Sequence, residues 1–355
     1  MDEPKREKYQ KVTKFPSELR LDPVSKDWVV IATGRGKRPE TFKEEDSGLE
    51  EVPKSECPFC NIEGQATPAV IFSNGKKVDF KEGDKIPENW TTISIPNKYP
   101  AFIPAKEVKK SVEDSHYTKM NAVGYHEVII TKDHEKSMGQ SSPEKIKEVL
   151  DVYHQRYLNL KRESFVKYIS IFHNHGQKAG ASIAHPHSQL ITTPVIDHDL
   201  QVALNGARDY FEKNGECIYC RMNRWDEKVQ KRIVFENEFF QLVCPFASKA
   251  AFEMIISPKN HSAYFAEISE KEKEALAEAF YQALRRLYVG LDNPAYNFYL
   301  HSAPSDGKKN DHYHWHWTIL PKTATWAGFE MGAQMEISTI APEEAAKYLR
   351  NQKID

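Results

Sequence analysis

Apolar positions recur along the chain with two periods, one near two residues and one near 3.6. Residues 28–33 form an apolar run closed by a glycine-rich turn and predict a strand. Residues 43–56 are acidic and rich in turn formers, which suits a surface loop. Asn74-Gly75 marks a hairpin. Residues 91–95 and 127–131 read as strands, with a polar excursion over 103–121 between them. Ser142-Pro143-Glu144 supplies an N-cap serine and a proline at the first helical position. The helix it starts runs to about Arg162, with Ile146, Val149, Leu150, Tyr153 and Tyr157 on its apolar face. Residues 168–172 then read as a buried strand, and 174–180 as the loop after it.

The pattern begins again near residue 199. A helix over 199–213 stops at Asn214-Gly215. Strands follow at 232–235, 239–243 and 252–257, and a long helix capped by Ser269 runs to about Val289. A strand at 297–300 and a last helix over 342–350 complete the chain. The two halves share an order of features. The first has Cys57-x-x-Cys60, a strand, His134, a helix, a strand and His185-x-His187; the second has Cys217-x-x-Cys220, a strand, His261, a helix, a strand and His314-x-His316. His134 and His185 lie 51 residues apart, His261 and His314 53. Such a shared order predicts a duplicated unit. The fold expected is α+β: two tandem units, each an antiparallel sheet with flanking helices, over residues 1–197 and 198–355.

Composition narrows the function. With 355 residues and a net charge of −2, the chain carries no basic footprint for nucleic acid. No apolar run reaches the roughly 20 residues that span a bilayer. The charged start, Met1 to Lys8, has no apolar core of a signal peptide, so a cytoplasmic protein is expected. Four of the five cysteines form the two C-x-x-C pairs, a count and spacing that favour metal over disulfides. Each half therefore offers two thiolates and two imidazoles, a closed tetrahedral zinc set with no position for water. The first set is Cys57, Cys60, His134 and His185; the second is Cys217, Cys220, His261 and His314. Both sites would be structural.

The chemistry centres on Gly180 to Gln189. Strand side chains alternate, so His185 and His187 point the same way. With His185 on the metal, His187 is the candidate nucleophile on phosphorus, since a neutral imidazole attacks and later leaves readily. The Gly180, Ala181 and Ser182 amides, the Ser182 hydroxyl and the Gln189 amide suit the non-bridging oxygens. Arg35, Lys37 and Arg38 form a basic loop that fits a second phosphate or, equally, a solvated turn.

These residues resemble the galactose-1-phosphate uridylyltransferase family, a branch of the histidine-triad superfamily. The resemblance runs over most of the chain. It includes Leu19-Arg20-x-Asp22-Pro23, Arg35-x-Lys37-Arg38-Pro39, Cys57-x-x-Cys60, Asn97, Phe172-x-Asn174-x-Gly176, His185-Pro186-His187-Ser188-Gln189 and Gly328-Phe329-Glu330. It implies a ping-pong exchange of UMP between UDP-glucose and galactose 1-phosphate through a uridylyl-His187 intermediate. It also implies nucleotide contacts from Asn97, Asn174, Ser182 and Gln189, phosphate contacts from Arg35 and Arg38, a hexose-side role for Glu330, and a homodimer. Histidine-triad hydrolases carry a third histidine where Gln189 stands. An amide cannot hand a proton to the leaving group, which favours transfer between phosphates over hydrolysis.

Two features depart from the commonest pattern. Cys217 and Cys220 look like the Cys/His version of the second site found in relatives that phosphorolyse nucleotide sugars. Phe329 stands where a tyrosine is common, and Ala324 where a lysine is common. An ADP-glucose or related nucleotide-sugar phosphorylase, using the same intermediate, is the alternative.

Overall fold

Asn74 and Gly75 both have positive φ, 48° and 76°, as the type I′ turn of a two-residue hairpin requires. The strands on either side are β3 and β4 in the order below. The computed structural model describes residues 17–35, 52–63 and 65–354. In chain order the elements are β1 (Glu18–Leu21), β2 (Trp28–Ile31), β3 (Val70–Ser73), β4 (Lys76–Val78), β5 (Thr92–Pro96), β6 (Lys110–Glu113), β7 (Tyr117–Met120), β8 (His126–Thr131), α1 (Pro143–Leu160), β9 (Tyr168–His175) and β10 (His187–Thr193). The second half adds α2 (His198–Asn214), α3 (Ile218–Val229), β11 (Ile233–Glu236), β12 (Phe240–Val243), β13 (Met254–Pro258), α4 (Glu270–Leu291), β14 (Tyr296–His301), β15 (His316–Pro321), α5 (Gly328–Ala333), β16 (Ile337–Ser338) and α6 (Pro342–Arg350).

The fold is α+β. One antiparallel sheet of 11 strands runs β11-β12-β13-β15-β14-β9-β10-β8-β5-β3-β4. The order outward from the centre is the same in both directions: β9-β10-β8-β5 one way, β14-β15-β13-β12 the other. This is the repeat seen in the sequence, but its two copies are joined edge to edge. β9 and β14 pair directly, with Asn174 opposite Asn297. A small sheet, β1-β2-β16, lies apart.

The cappings read from the sequence hold. The Ser142 side chain accepts from the Lys145 N–H at the start of α1, and Ser269 and Glu272 form a capping box on α4. Ile146, Val149, Leu150, Tyr153 and Tyr157 of α1 share one buried core with Leu276, Phe280, Leu284 and Leu287 of α4 and with Ile171, Leu190, Phe298 and Trp317 of the sheet. Each such side chain contributes about 1.5–3 kcal/mol on burial. The helices thus cover one face of the sheet and hold β9 and β10 rigid.

Several elements were not foreseen, β1, β15 and α5 among them. Residues 218–229 form α3 directly after the second C-x-x-C start. The 103–121 excursion contains the exposed β6–β7 hairpin. β16 adds to β2 in parallel across more than 300 residues of chain. No helix among the described residues is long and apolar enough to cross a membrane.

Candidate active site and metal centres

The strand β10 begins at His187, so its first side chain stands at the sheet's end, beside the loop from Gly176 to Pro186. Gly176 (φ 80°) and Gly180 (φ 85°) let that loop turn in the left-handed region. Between them is a short 3₁₀ turn, Gln177–Ala179. His185 and His187 are both buried.

His187 Nδ1 donates to the carbonyl of His185 at 3.0 Å. A carbonyl only accepts, so Nδ1 carries the proton and Nε2 keeps its lone pair. Burial pushes the His187 pKa below the ordinary histidine value, against the opposite pull of that carbonyl. The ring is thus neutral at pH 7 and suited to nucleophilic attack. Phe59, inside the first C-x-x-C, lies against the His187 ring at 4.7 Å. On the other face of the strand, Ser188 bonds Tyr153 of α1 and accepts from or donates to His173 Nδ1 at 3.0 Å. That contact ties β10 to the core.

The first metal set converges. Cys57, Cys60, His134 and His185 bring one ligand atom each to within 4.8 Å of one another. Cys60 Sγ lies 3.2 Å from His134 Nδ1 and 3.5 Å from His185 Nδ1, and Cys57 Sγ lies 3.5 Å from His185 Nδ1. Tetrahedral zinc, with Zn–S near 2.3 Å and Zn–N near 2.0–2.1 Å, needs ligand–ligand edges of roughly 3.5 Å. The outer nitrogens agree: His185 Nε2 donates to Thr131 O at 2.7 Å and His134 Nε2 to Val52 O at 3.0 Å. This turns both Nδ1 lone pairs inward, as metal-bound imidazoles require.

The second set repeats this. Cys217, Cys220, His261 and His314 converge in the same way. His261 Nε2 donates to Asp311 O at 2.7 Å and His314 Nε2 to Pro258 O at 2.9 Å. Both sets are able to hold a metal ion and are compatible with zinc. The second half even keeps the backbone clamp, with His316 Nδ1 3.1 Å from His314 O. It lacks the rest: Thr318 stands in the place of Gln189, and the His316 ring stacks on His301 at 4.7 Å.

The remaining expected residues divide. Asn174 Oδ1 accepts from Asn297 Nδ2 at 2.8 Å, and the same nitrogen reaches Ala179 O at 2.8 Å. Asn297, from the second half, therefore braces the loop before Gly180. Ala181 is buried, its N–H donating to Gly176 O at 3.2 Å, while Ser182 is exposed. Gln189 points to the same side as His187, and its Oε1 lies 2.8 Å from His126 Nε2. Asn97 Nδ2 is 3.1 Å from that same nitrogen. Arg35 ends a 3₁₀ turn, Thr33–Arg35, and Lys37 and Arg38 lie outside the described residues. Glu330 accepts from the Ala327 N–H at the start of its own helix α5 at 3.0 Å; among the described residues no hydrogen bond ties it to 180–189.

Sequence reasoning missed Phe59, His126 and Asn297. Phe59 sits inside a motif read only for its cysteines. His126 is two residues before Val128, the residue opposite Gln189, so strand alternation puts it on the Gln189 side. Asn297 needed the β9–β14 pairing, which no local pattern announces.

Comparison with known proteins agrees with this architecture. The chain is 30% identical over 338 residues to an ADP-glucose phosphorylase of Arabidopsis thaliana, covering 94% of this chain and 92% of that one. It is 26% identical over 347 residues to a galactose-1-phosphate uridylyltransferase of Thermotoga maritima, covering 95% and 99%. The crystal structure of an ADP-glucose phosphorylase from Arabidopsis thaliana with bound ADP-glucose superposes with a TM-score of 0.76 at 28% identity, covering 96% of this chain and all of that one. The model of the galactose-1-phosphate uridyl transferase N-terminal domain matches residues 7–197, and that of its C-terminal domain residues 204–354. On both halves, then, the chain belongs to the galactose-1-phosphate uridyl transferase family.

Proposed function

We propose that this chain is a nucleotidyltransferase that carries a nucleoside monophosphate on His187 Nε2. The observation that carries the reading is the bond from His187 Nδ1 to the His185 carbonyl, which leaves an unprotonated, buried Nε2 beside Gln189. In the first half-reaction Nε2 attacks the α-phosphorus of a nucleotide sugar. The Nε2–P bond forms, the P–O bond to the sugar phosphate breaks, and the sugar 1-phosphate leaves with the electron pair. The imidazolium that results keeps its proton on Nδ1, which still donates to the His185 carbonyl. A second phosphate then attacks the same phosphorus and frees the histidine. Gln189 and the Ser182 hydroxyl and amide donate to the oxygens as charge grows, while the Gly180 and Ala181 N–H groups, held by Gln177 O and Gly176 O, shape the loop that lines the phosphate. Asn97 and Asn174 contact the nucleotide, Arg35 and Arg38 the phosphates, and Glu330 the hexose. Zinc in both Cys/His sets holds the backbone under His187 and its counterpart. A homodimer in the cytoplasm belongs to the same reading.

UMP exchange between UDP-glucose and galactose 1-phosphate is the reaction favoured, as the family's own and that of relatives such as the Thermotoga protein. A second reading has inorganic phosphate accept AMP from ADP-glucose. The similarity to the ADP-glucose phosphorylase and the Cys217/Cys220 pair favour it. Intact-protein mass spectrometry after mixing with UDP-glucose, UDP-galactose and ADP-glucose tests both. A UMP-sized adduct that His187→Ala lacks supports the first reading, and an AMP-sized one the second. No adduct from any donor overturns nucleotidyl transfer.

A further inference from the structure

His126 opens β8, and its side chain lies between the 97–101 turn and Gln189. The pairing puts Val128 opposite Gln189 and His126 opposite Ile191. His126 and Gln189 are therefore diagonal neighbours on one face, a separation long side chains bridge. The Ala101 backbone N–H lies 3.1 Å from His126 Nδ1. A backbone amide only donates, so Nδ1 accepts, and the neutral ring must carry its proton on Nε2. That N–H needs an acceptor, and Gln189 Oε1 is 2.8 Å away. With its oxygen engaged, the Gln189 carboxamide cannot flip. Its NH₂ is then the end of the amide left to donate to a bound molecule.

The same proton settles Asn97. Its Oδ1 already accepts from the Tyr99 N–H at 2.8 Å, so the atom 3.1 Å from His126 Nε2 is its amide nitrogen. Two donors then face each other, and the Asn97 NH₂ gains nothing from His126. It stays free to donate to a bound molecule.

We propose that His126 is a positioning residue for phosphoryl transfer: held as the Nε2–H tautomer by Ala101, it fixes the Gln189 amide with its donor side toward the phosphoryl group on His187. The proposal rests on the nucleotidyl-transfer reading for its kinetic consequence, but the tautomer is a property of the protein alone. His126→Phe removes both ring hydrogen bonds and leaves Gln189 free to rotate. The loss of one orienting hydrogen bond lowers kcat about five- to tenfold, with little change in KM for the nucleotide sugar. His126→Gln keeps one donor and one acceptor and recovers most of the rate. In a Gln189→Ala background, His126→Phe has no further effect, because the group it positions is gone.

The first measurement is long-range 1H–15N NMR on full-length, metal-loaded wild-type protein with 15N-histidine, with His126→Phe identifying the resonance. A Nε2–H tautomer is expected; a Nδ1–H tautomer overturns the proposal whatever the reaction. The second is the double-mutant cycle in single-turnover kinetics. An equal loss from His126→Phe with and without Gln189, as a purely structural role would give, overturns it too. Absence of any nucleotidyl adduct on the wild type instead defeats the transfer reading, and the NMR result then decides the geometry by itself.

Discussion

The carbonyl oxygen of His185 accepts the Nδ1 proton of His187, 3.0 Å away, while the His185 ring turns its own Nδ1 into the first Cys/His cluster. One residue thus joins the candidate metal site to the candidate nucleophile, through its side chain on one side and its backbone on the other.

The two metal sets should therefore separate in their effects. Cys57→Ser is expected to lose one of the two metal equivalents, lower the melting temperature and cut transfer, because the His185 backbone is no longer pinned. Cys217→Ser is expected to lose the other equivalent and stability, yet leave the transfer rate of the folded fraction nearly intact. Metal content by atomic emission, measured beside single-turnover rates, checks both. Equal kinetic losses would break the link drawn from the His185 carbonyl.

Gln189→Ala should keep the fold, since the side chain bonds only His126 among the described residues. Losing one donor to a developing charge costs on the order of 10²-fold in rate. An unaltered melting curve with that slowing is the expected pair of results.

Gly180 and Gly328 should respond differently to alanine. Gly180 has φ 85°, where a Cβ costs roughly 1–2 kcal/mol. Gly180→Ala should lower stability by about that amount and slow transfer, because the strain falls on the turn that Gln177 O and Gly176 O close just before Ser182. Gly328 has open space around it and lies in α5, so Gly328→Ala should raise stability by up to about 1 kcal/mol. Urea titration reads both.

Glu253 gives a pH dependence. The buried Glu127 carboxylate is held by Arg156 and Ser94. Among the described residues Glu253 has no such arginine, and burial pushes its pKa up to about 7 from 4.5, despite the Lys249 N–H. A raised folded pKa means the folded state binds the proton more tightly. The contribution is complete below about pH 4.5 and is lost as pH rises to about 7. The loss totals ~3 kcal/mol. Glu253→Gln stays neutral throughout, so it should match wild type at pH 4.5 and be more stable at pH 8, by urea midpoint.

Much of this was legible locally. The caps at Ser142 and Ser269, the Asn74-Gly75 turn and the repeated C-x-x-C and H-x-H spacings all rest on contacts within a few residues or on repetition of a pattern. α3 was missed because residues 221–228 are mostly polar and charged, with too few apolar positions to show a helical face. His126 and Asn297 were missed for another reason: their roles depend on which strand lies alongside. Strand pairing between β9 and β14 crosses the whole chain, and alternation within a strand says nothing about its neighbour.

That pairing has an evolutionary corollary. Once Asn297 of one copy came to steady Asn174 of the other, the duplicate stopped being a spare. It carries Thr318 where the first copy has Gln189, yet it is not free to depart. Severing the polypeptide between the copies would leave two pieces, each with a bare strand edge, able to work only by finding each other again.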